Sequence, residues 1–250
     1  MRLRDVTALL LALGAHTHCS TDPPRVTDAG ARIDVTDELL EDAPQLDNYL
    51  RVKAPEVMTS VINDAIIRGN GVGKPLGILN SPALVSVADE SSQPADTVHH
   101  RNIVAMWSRM YAPCRARAVW LINQDVEPSL NLMSFRDAGT SPVPVYLPAG
   151  GVSGSPYATL MGRPVIPVQS ASTVGDIGDV ILADLSKYRT LTKAGGARVD
   201  TSIHLKFDTD ETVFRFIFRL AGQPWWSAPI TPKNSANTLS PFVAIATRAS

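Results

Sequence analysis

The chain has 250 residues, 44% of them hydrophobic and 19% charged, enough for one large domain or two small ones with a real core. Its 23 basic and 24 acidic residues leave a net charge of -1, which excludes a dedicated nucleic-acid-coating surface built on excess Lys and Arg. Two cysteines, Cys19 and Cys114, exclude a cysteine metal cluster and a disulfide framework, so a reducing compartment such as a cytoplasm is the expected place of folding; no apolar run reaches the ~18 residues of a membrane span.

Residues 1–30 form an atypical N-terminal segment. The run from Val6 to Ala15 followed by Cys19 resembles a short secretory or lipoprotein signal. His18 stands where a lipidated cysteine wants a small residue, and Asp5 borders the run, so a short helix or a segment foreign to the following domain is the expectation. Thr36 then reads as a helix N-cap with Asp37 and Glu38 in the first turn, and Pro44 as a restart. Leu46, Leu50, Val57, Val61, Ala65 and Ile66 recur at helical spacing, Pro55 should bend the helix, and Gly69 should end it.

The loop "GNGVGKP" (Gly69–Pro75) is close to a phosphate-cradling Walker loop in letters only. The glycine spacing is one residue short, and Pro75 replaces the hydroxyl that would reach magnesium. A helix precedes the loop, so its C-terminal dipole has the wrong sign for phosphate. The loop is read as a sharp helix exit, and a phosphate-binding enzyme using Gly69–Lys74 is the rival reading.

Next, residues 99–111 place Ile103, Met106, Trp107 and Met110 on one helical face. Residues 116–123 read as a strand buried on both faces, and 124–133 as a short helix. Residues 136–158 are loop, 158–168 an edge or bulged strand, and 180–183 a strand followed by a segment at 186–191. Residues 199–220 predict a hairpin turning at Thr209-Asp210. Val199, Thr201, Ile203, Leu205 and Phe207 share a face, as do Phe214, Phe216 and Phe218, with Arg215 and Arg219 opposite. That turn pairs Leu205 with Phe214, Ile203 with Phe216 and Asp200 with Arg219, and the alternation fixes the parity of the register.

Remaining candidates point to no chemistry. His99 and His100 lack a third ligand at matching spacing and read as a helix-start pair. "GVSGS" (residues 151–155) misses the nucleophile-elbow pattern. Asp176, Asp179 and Asp184 read as solvated turn carboxylates rather than cation ligands. Trp225 and Trp226 are either an interface anchor or the edge of a core. No catalytic, cofactor or metal residue is assigned.

Six segments in order resemble the major capsid protein family of tailed phages, with the Hong Kong 97-like fold. They are "VTDELLEDAPQLDNYL", "AIIRGNGVGKPLGILN", "RAVWLINQDVEPSL", "LMGRPVIPV", "GDIGDVILADLSKY", and the hairpin with "LSPFVAIATRAS". The likeness covers about residues 31–250. It implies an α+β fold: a long spine helix within a first peripheral part (31–80), an axial α/β domain (81–193), a second peripheral part with a long antiparallel hairpin (194–232), and a C-terminal strand returning to the axial domain (233–250). Members carry an N-terminal arm and a long two-stranded loop before the spine helix; both are expected to be lacking here, with the Lys–Asn cross-link of some members. The implied function is a non-enzymatic shell subunit of a phage or prophage head, folded in the host cytoplasm and resident in the virion. It would self-assemble into pentamers and hexamers of an icosahedral shell, with portal, scaffold and non-specifically packaged double-stranded DNA as partners. A nanocompartment or gene-transfer-particle shell is the related alternative. Lys74, Arg215, Arg219, Trp225 and Trp226 are the candidate subunit-interface residues.

Overall fold

The computed structural model describes residues 27–37, 45–90, 93–135, 143–144, 159–193 and 196–248. The signal-like N-terminal run, Glu38 and Pro44 of the helix start, and "GVSGS" lie outside them. The chain divides into two compact units. One holds Ser81–Lys187 and Pro224–Ser250, the other Pro23–Asn80 and Tyr188–Gln223.

The first unit is built on a six-stranded mixed sheet. Its strands are β2 (Val85–Val87), β3 (Val119–Ile122), β6 (Thr159–Leu160), β7 (Arg163–Pro167), β8 (Val180–Ala183) and β12 (Phe242–Ile245), in the order β2-β12-β8-β3-β7-β6. A separate short ribbon pairs β4 (Ser134–Phe135) with β5 (Val143–Pro144). β12 runs parallel to β2 and β3 parallel to β7, while β8 lies antiparallel to both β12 and β3. All residues of β8 and β12 are buried, as continuous apolar runs require when both faces are covered. Helix α2 (His100–Arg109) packs on β2 and β12 through Ile103 and Met106. Trp120 is fully buried, and its indole N–H donates to the Leu160 carbonyl at 2.9 Å. A 3-10 turn (Gln124–Val126) leads into helix α3 (Glu127–Asn131), with the Asn123 side chain capping it by accepting from Asp125 N. The stretch predicted as one strand at 158–168 is two strands. Met161 (φ 51°) and Gly162 (φ 70°) form the turn between β6 and β7, both in the left-handed conformation of a tight hairpin.

The second unit pairs a helix with a sheet. Helix α1 (Gln45–Arg68) runs unbroken through Pro55, where the Thr59 hydroxyl donates to the Pro55 carbonyl. Its buried residues are Leu50, Ala54, Met58, Ala65 and Ile67, while Val57 and Val61 of the predicted face are exposed. Strand β1 (Thr27–Thr36) was not foreseen. It pairs antiparallel with β11 (Glu211–Pro224), setting Ile33 opposite Phe214 and Arg32 opposite Arg215. Thr36 ends the strand and Asp37 is already helical, which puts Thr36 at the expected N-cap position; α1 itself begins later, at Gln45. β11 also pairs with β10 (Arg198–Lys206) and with β9 (Tyr188–Thr192). Val35, Phe214 and Phe216 pack on Leu50, Ala54 and Met58, with Ile33 and Phe218 at the margin.

Two expectations need correction here. The hairpin keeps the predicted parity but not the predicted register. Val199 faces Phe216, Thr201 faces Phe214, and Asp200 faces Arg215 rather than Arg219. A bulge between Ser202 and Lys206 and a 3-10 turn at Phe207–Thr209 take up residues that a simple turn would pair. Ile203, Leu205 and Phe207 are exposed, and so are Val199 and Thr201 opposite Phe216 and Phe214: β10 is the outer strand beside β11 and contributes no residue to the core with α1. The second stretch of this unit also runs from Tyr188 to Gln223, earlier than the boundaries drawn at 193/194 and 232/233. β9 is held by β11, and residues 224–232 bond within the first unit, with Trp225 N donating to Lys187 O and Ile230 bridged to Leu239.

Candidate functional site

The glycine loop closes the helix end with its own backbone. Gly77, Ile78 and Leu79 N–H groups donate to the carbonyls of Gly69, Ile66 and Ile67 at 2.7–3.0 Å. The Asn80 side-chain amide donates to Arg68 O at 2.8 Å and Gly69 O at 3.0 Å. The chain thus supplies partners to carbonyls that a helix leaves open at its C-terminus. Gly71 and Gly73 have φ of 77° and 64°, as a reversal requires. Gly69 is needed for another reason: a Cβ there would strike the carbonyl oxygens of Pro75 and Ala65. These N–H groups face carbonyl oxygens rather than converging on an anion. Lys74 is exposed on the loop.

The sheet of the second unit has two unlike faces. Phe214 and Phe216 occupy the buried one, while Arg215 and Arg219 are exposed on the other. On that face Arg32 donates two hydrogen bonds to Asp34 at 2.8 and 3.0 Å, and Lys206 bridges Asp34 and Glu211. The Arg32 and Lys206 bonds hold the Asp34 carboxyl below its ordinary pKa, and Asp34 in turn raises the Arg32 guanidinium. Arg198 pairs with Asp200 at 2.8 Å. A depression of about 90 Å³ opens here, lined by Lys193, Gly196, Arg198, Ile217 and Arg219.

The two tryptophans separate. Trp226 is half-buried, its ring 5.3 Å from that of Tyr111 at an interplanar angle of 59°. Trp225 is 37% exposed. One is a core edge; the other presents indole to solvent.

The acidic cluster differs from its prediction. Asp179 and Asp184 are fully buried rather than solvated. Asp179 accepts from the N–H groups of Gly175 (3.2 Å) and Val180 (2.7 Å) and pairs with the buried Arg248 guanidinium. Burial raises the Asp179 carboxyl above its ordinary value, with Arg248 opposing that shift. Asp184 accepts from Ser186 N and Oγ, closing a turn, and Arg117 stands 3.7 Å from its other oxygen. Burial pushes the Cys114 thiol up to about 12, which makes it inert as a nucleophile. Sequence reasoning missed Arg248, whose isolated place near the chain end carried no pattern. His99 and His100 start α2, where the Asn102 side chain accepts from His99 N at 2.9 Å. Among the described residues no group of three or more His, Cys, Asp or Glu could hold a metal ion, and no helix is long and apolar enough to cross a membrane.

The family model described as "Phage capsid family" matches residues 25–234. A search of the curated proteins returns no significant match. Among solved structures, the capsid of an empty GTA particle is similar at 18% identity, covering 90% of this chain and 74% of that one, with a TM-score of 0.68. A structure from Microbacterium phage Oxtober96 is similar at 16% identity, covering 89% and 73%, with a TM-score of 0.61. The holo-SrpI encapsulin complex from Synechococcus elongatus PCC 7942 follows at 15% identity, covering 92% and 78%, with a TM-score of 0.55.

Proposed function

The chain belongs to the phage capsid family, and from that premise we propose that it is a major shell subunit of a tailed-phage or prophage head. The observation that carries the reading is the match over residues 25–234, most of the chain. The subunit has no enzymatic role. It folds in the host cytoplasm and resides in the virion, around packaged double-stranded DNA, with portal and scaffold as further partners. The unit built on the six-stranded sheet is the axial domain, and the unit holding α1 and the hairpin is the peripheral one. Head-to-tail contacts that close by rotation make the pentamers and hexamers. A subunit held by several neighbours at once gains avidity from contacts that are each weak. Lys74, Arg215, Arg219 and Trp225 are exposed and available to neighbours, whereas Trp226 belongs to a core edge.

Purified chain examined by electron microscopy across a range of concentrations tests this reading. Regular closed particles support it; a chain that stays monomeric throughout overturns it. A gene-transfer-particle or nanocompartment shell is favoured instead by the capsid of the GTA particle and the encapsulin among the similar structures. The nucleic-acid content of particles separates the readings: long genomes for a phage head, short fragments for a transfer particle, none for a nanocompartment. Lys74→Ala should leave folding intact, with no nucleotide binding in either form by calorimetry. Saturable ATP or GTP binding lost on that substitution would restore the enzyme reading.

A further inference from the structure

The hairpin of the second unit is electrically lopsided. At its tip, Lys206 is engaged by Asp34 and Glu211, while Asp208 and Asp210 are exposed and meet no cation among the described residues. At its base, Lys193, Arg198 and Arg219 surround the 90 Å³ depression floored by Ile217. Asp200 answers Arg198, and the register places Asp28 opposite Arg219. Lys193 is exposed and enters no ion pair among the described residues. Cations therefore remain in excess at the base and carboxylates at the tip. The two ends cannot neutralise each other within one copy. Glu211 and Arg219 are eight residues apart along β11, about 26 Å of extended strand. Beside the tip acids, Phe207 is 78% exposed and Leu205 65% exposed, large apolar groups that a lone sheet end leaves in water.

We propose that the acidic tip of one copy's hairpin, Asp208 to Asp210, docks into the Lys193–Arg198–Arg219 depression of a neighbouring copy, a contact that rests on the shell reading. The depression has room for a carboxylate group rather than a large ligand. Phe207 travels with the tip and lies over Ile217, where an aromatic anchor inside a charged rim excludes water. Because tip and base are different surfaces, the contact is heterologous and propagates from copy to copy until a ring closes. Charge complementarity of this kind sets register and partner choice, and it weakens with salt.

Charge reversal on the full-length chain tests it. One variant carries Asp208→Lys with Asp210→Asn; asparagine tolerates the left-handed backbone of position 210 (φ 50°). A second carries Lys193→Glu with Arg198→Glu. A third combines all four changes. All four sites are exposed, and thermal melts of each variant confirm folding. The concentration needed for multimers, read by light scattering and electron microscopy, should rise about tenfold or more in each single-end variant and return to within about threefold of wild type in the combined one. If wild type assembles and the single-end variants assemble equally well, this contact is wrong and the shell reading stands. The contact is equally wrong if the combined variant stays defective with an unchanged melt. A wild-type chain that never multimerises overturns both.

Discussion

The two larger sheets of this protein are stabilised in opposite ways. The six-stranded sheet buries β8 and β12 completely, and beside it lies a buried ion pair, Asp179 with Arg248. The sheet around β11 buries one face on α1 and laces the other with exposed ion pairs. A strand buried on both faces tolerates little change anywhere along it. A one-sided strand divides its residues, alternately, between fold and surface. The surface half is thereby free to be specialised for contact with other molecules.

The sharpest test of the contrast is packing loss. Trp120→Ala should cost about 3–5 kcal/mol in urea denaturation, because a fully buried ring and its hydrogen bond to Leu160 both go. Phe216→Ala, with 1% exposure but no polar bond to lose, should fall at the lower end, about 3 kcal/mol. If Phe216→Ala costs nothing while Arg215→Ala unfolds the unit, the two faces of β11 have been exchanged.

The same contrast explains which features were legible in the sequence. β8 and β12 stand out as short apolar runs, and Phe214 and Phe216 as alternation, because each pattern is a direct imprint of burial. β1 was hidden. Its Gly30, Asp28 and Asp34 are poor strand formers, and only Ile33 and Val35 mark its inward face. Thr36-Asp37 was legible as a helix start, and Asp37, already helical, also accepts from the Thr212 hydroxyl at 2.5 Å. The hairpin register was legible in parity alone, since a bulge shifts pairs without altering alternation at a distance. Ile203, Leu205 and Phe207 misled because their alternation imitates an inward face on a strand that adds nothing to the core. The candidate surface was half legible: Arg215 and Arg219 follow from alternation, but the depression at Lys193 and Arg198 depends on which strand neighbours β11, which no local pattern states.

A second test compares ion pairs in the two settings. Asp179→Ala should destabilise by about 3–5 kcal/mol, since it strands the buried Arg248 guanidinium and two backbone donors. Replacing both partners, Asp179→Leu with Arg248→Met, should recover much of that loss, because no charge is left unpaired. Equal destabilisation by the single and double changes would show that the stranded guanidinium is not what the single change costs. It would then be the hydrogen bonds to Gly175 and Val180 that hold the loop.

The smallest expected effect lies on the wet face. Arg215→Ala should shift folding stability by only about 0–1 kcal/mol, as exposed cross-strand charges do. It sits between Asp200 on one side and Arg32 on the other, so the attraction it loses is partly offset by relief of repulsion. Asp34 gives the pH signature of the same face. Its folded pKa is lowered by Arg32 and Lys206, so its stabilising contribution is present above the ordinary carboxylate pKa and is lost as pH falls through the lowered folded value. Asp34→Asn should therefore remove a shallow acid-side slope from a stability-versus-pH curve and leave the neutral-pH melt nearly unchanged in high salt, where exposed pairs are screened. Asp179 supplies the contrast, because screening does not reach a buried pair. If high salt instead abolished the penalty of Asp179→Ala, that carboxylate would have to be in water, and the division between an inward-charged sheet and an outward-charged one would fail.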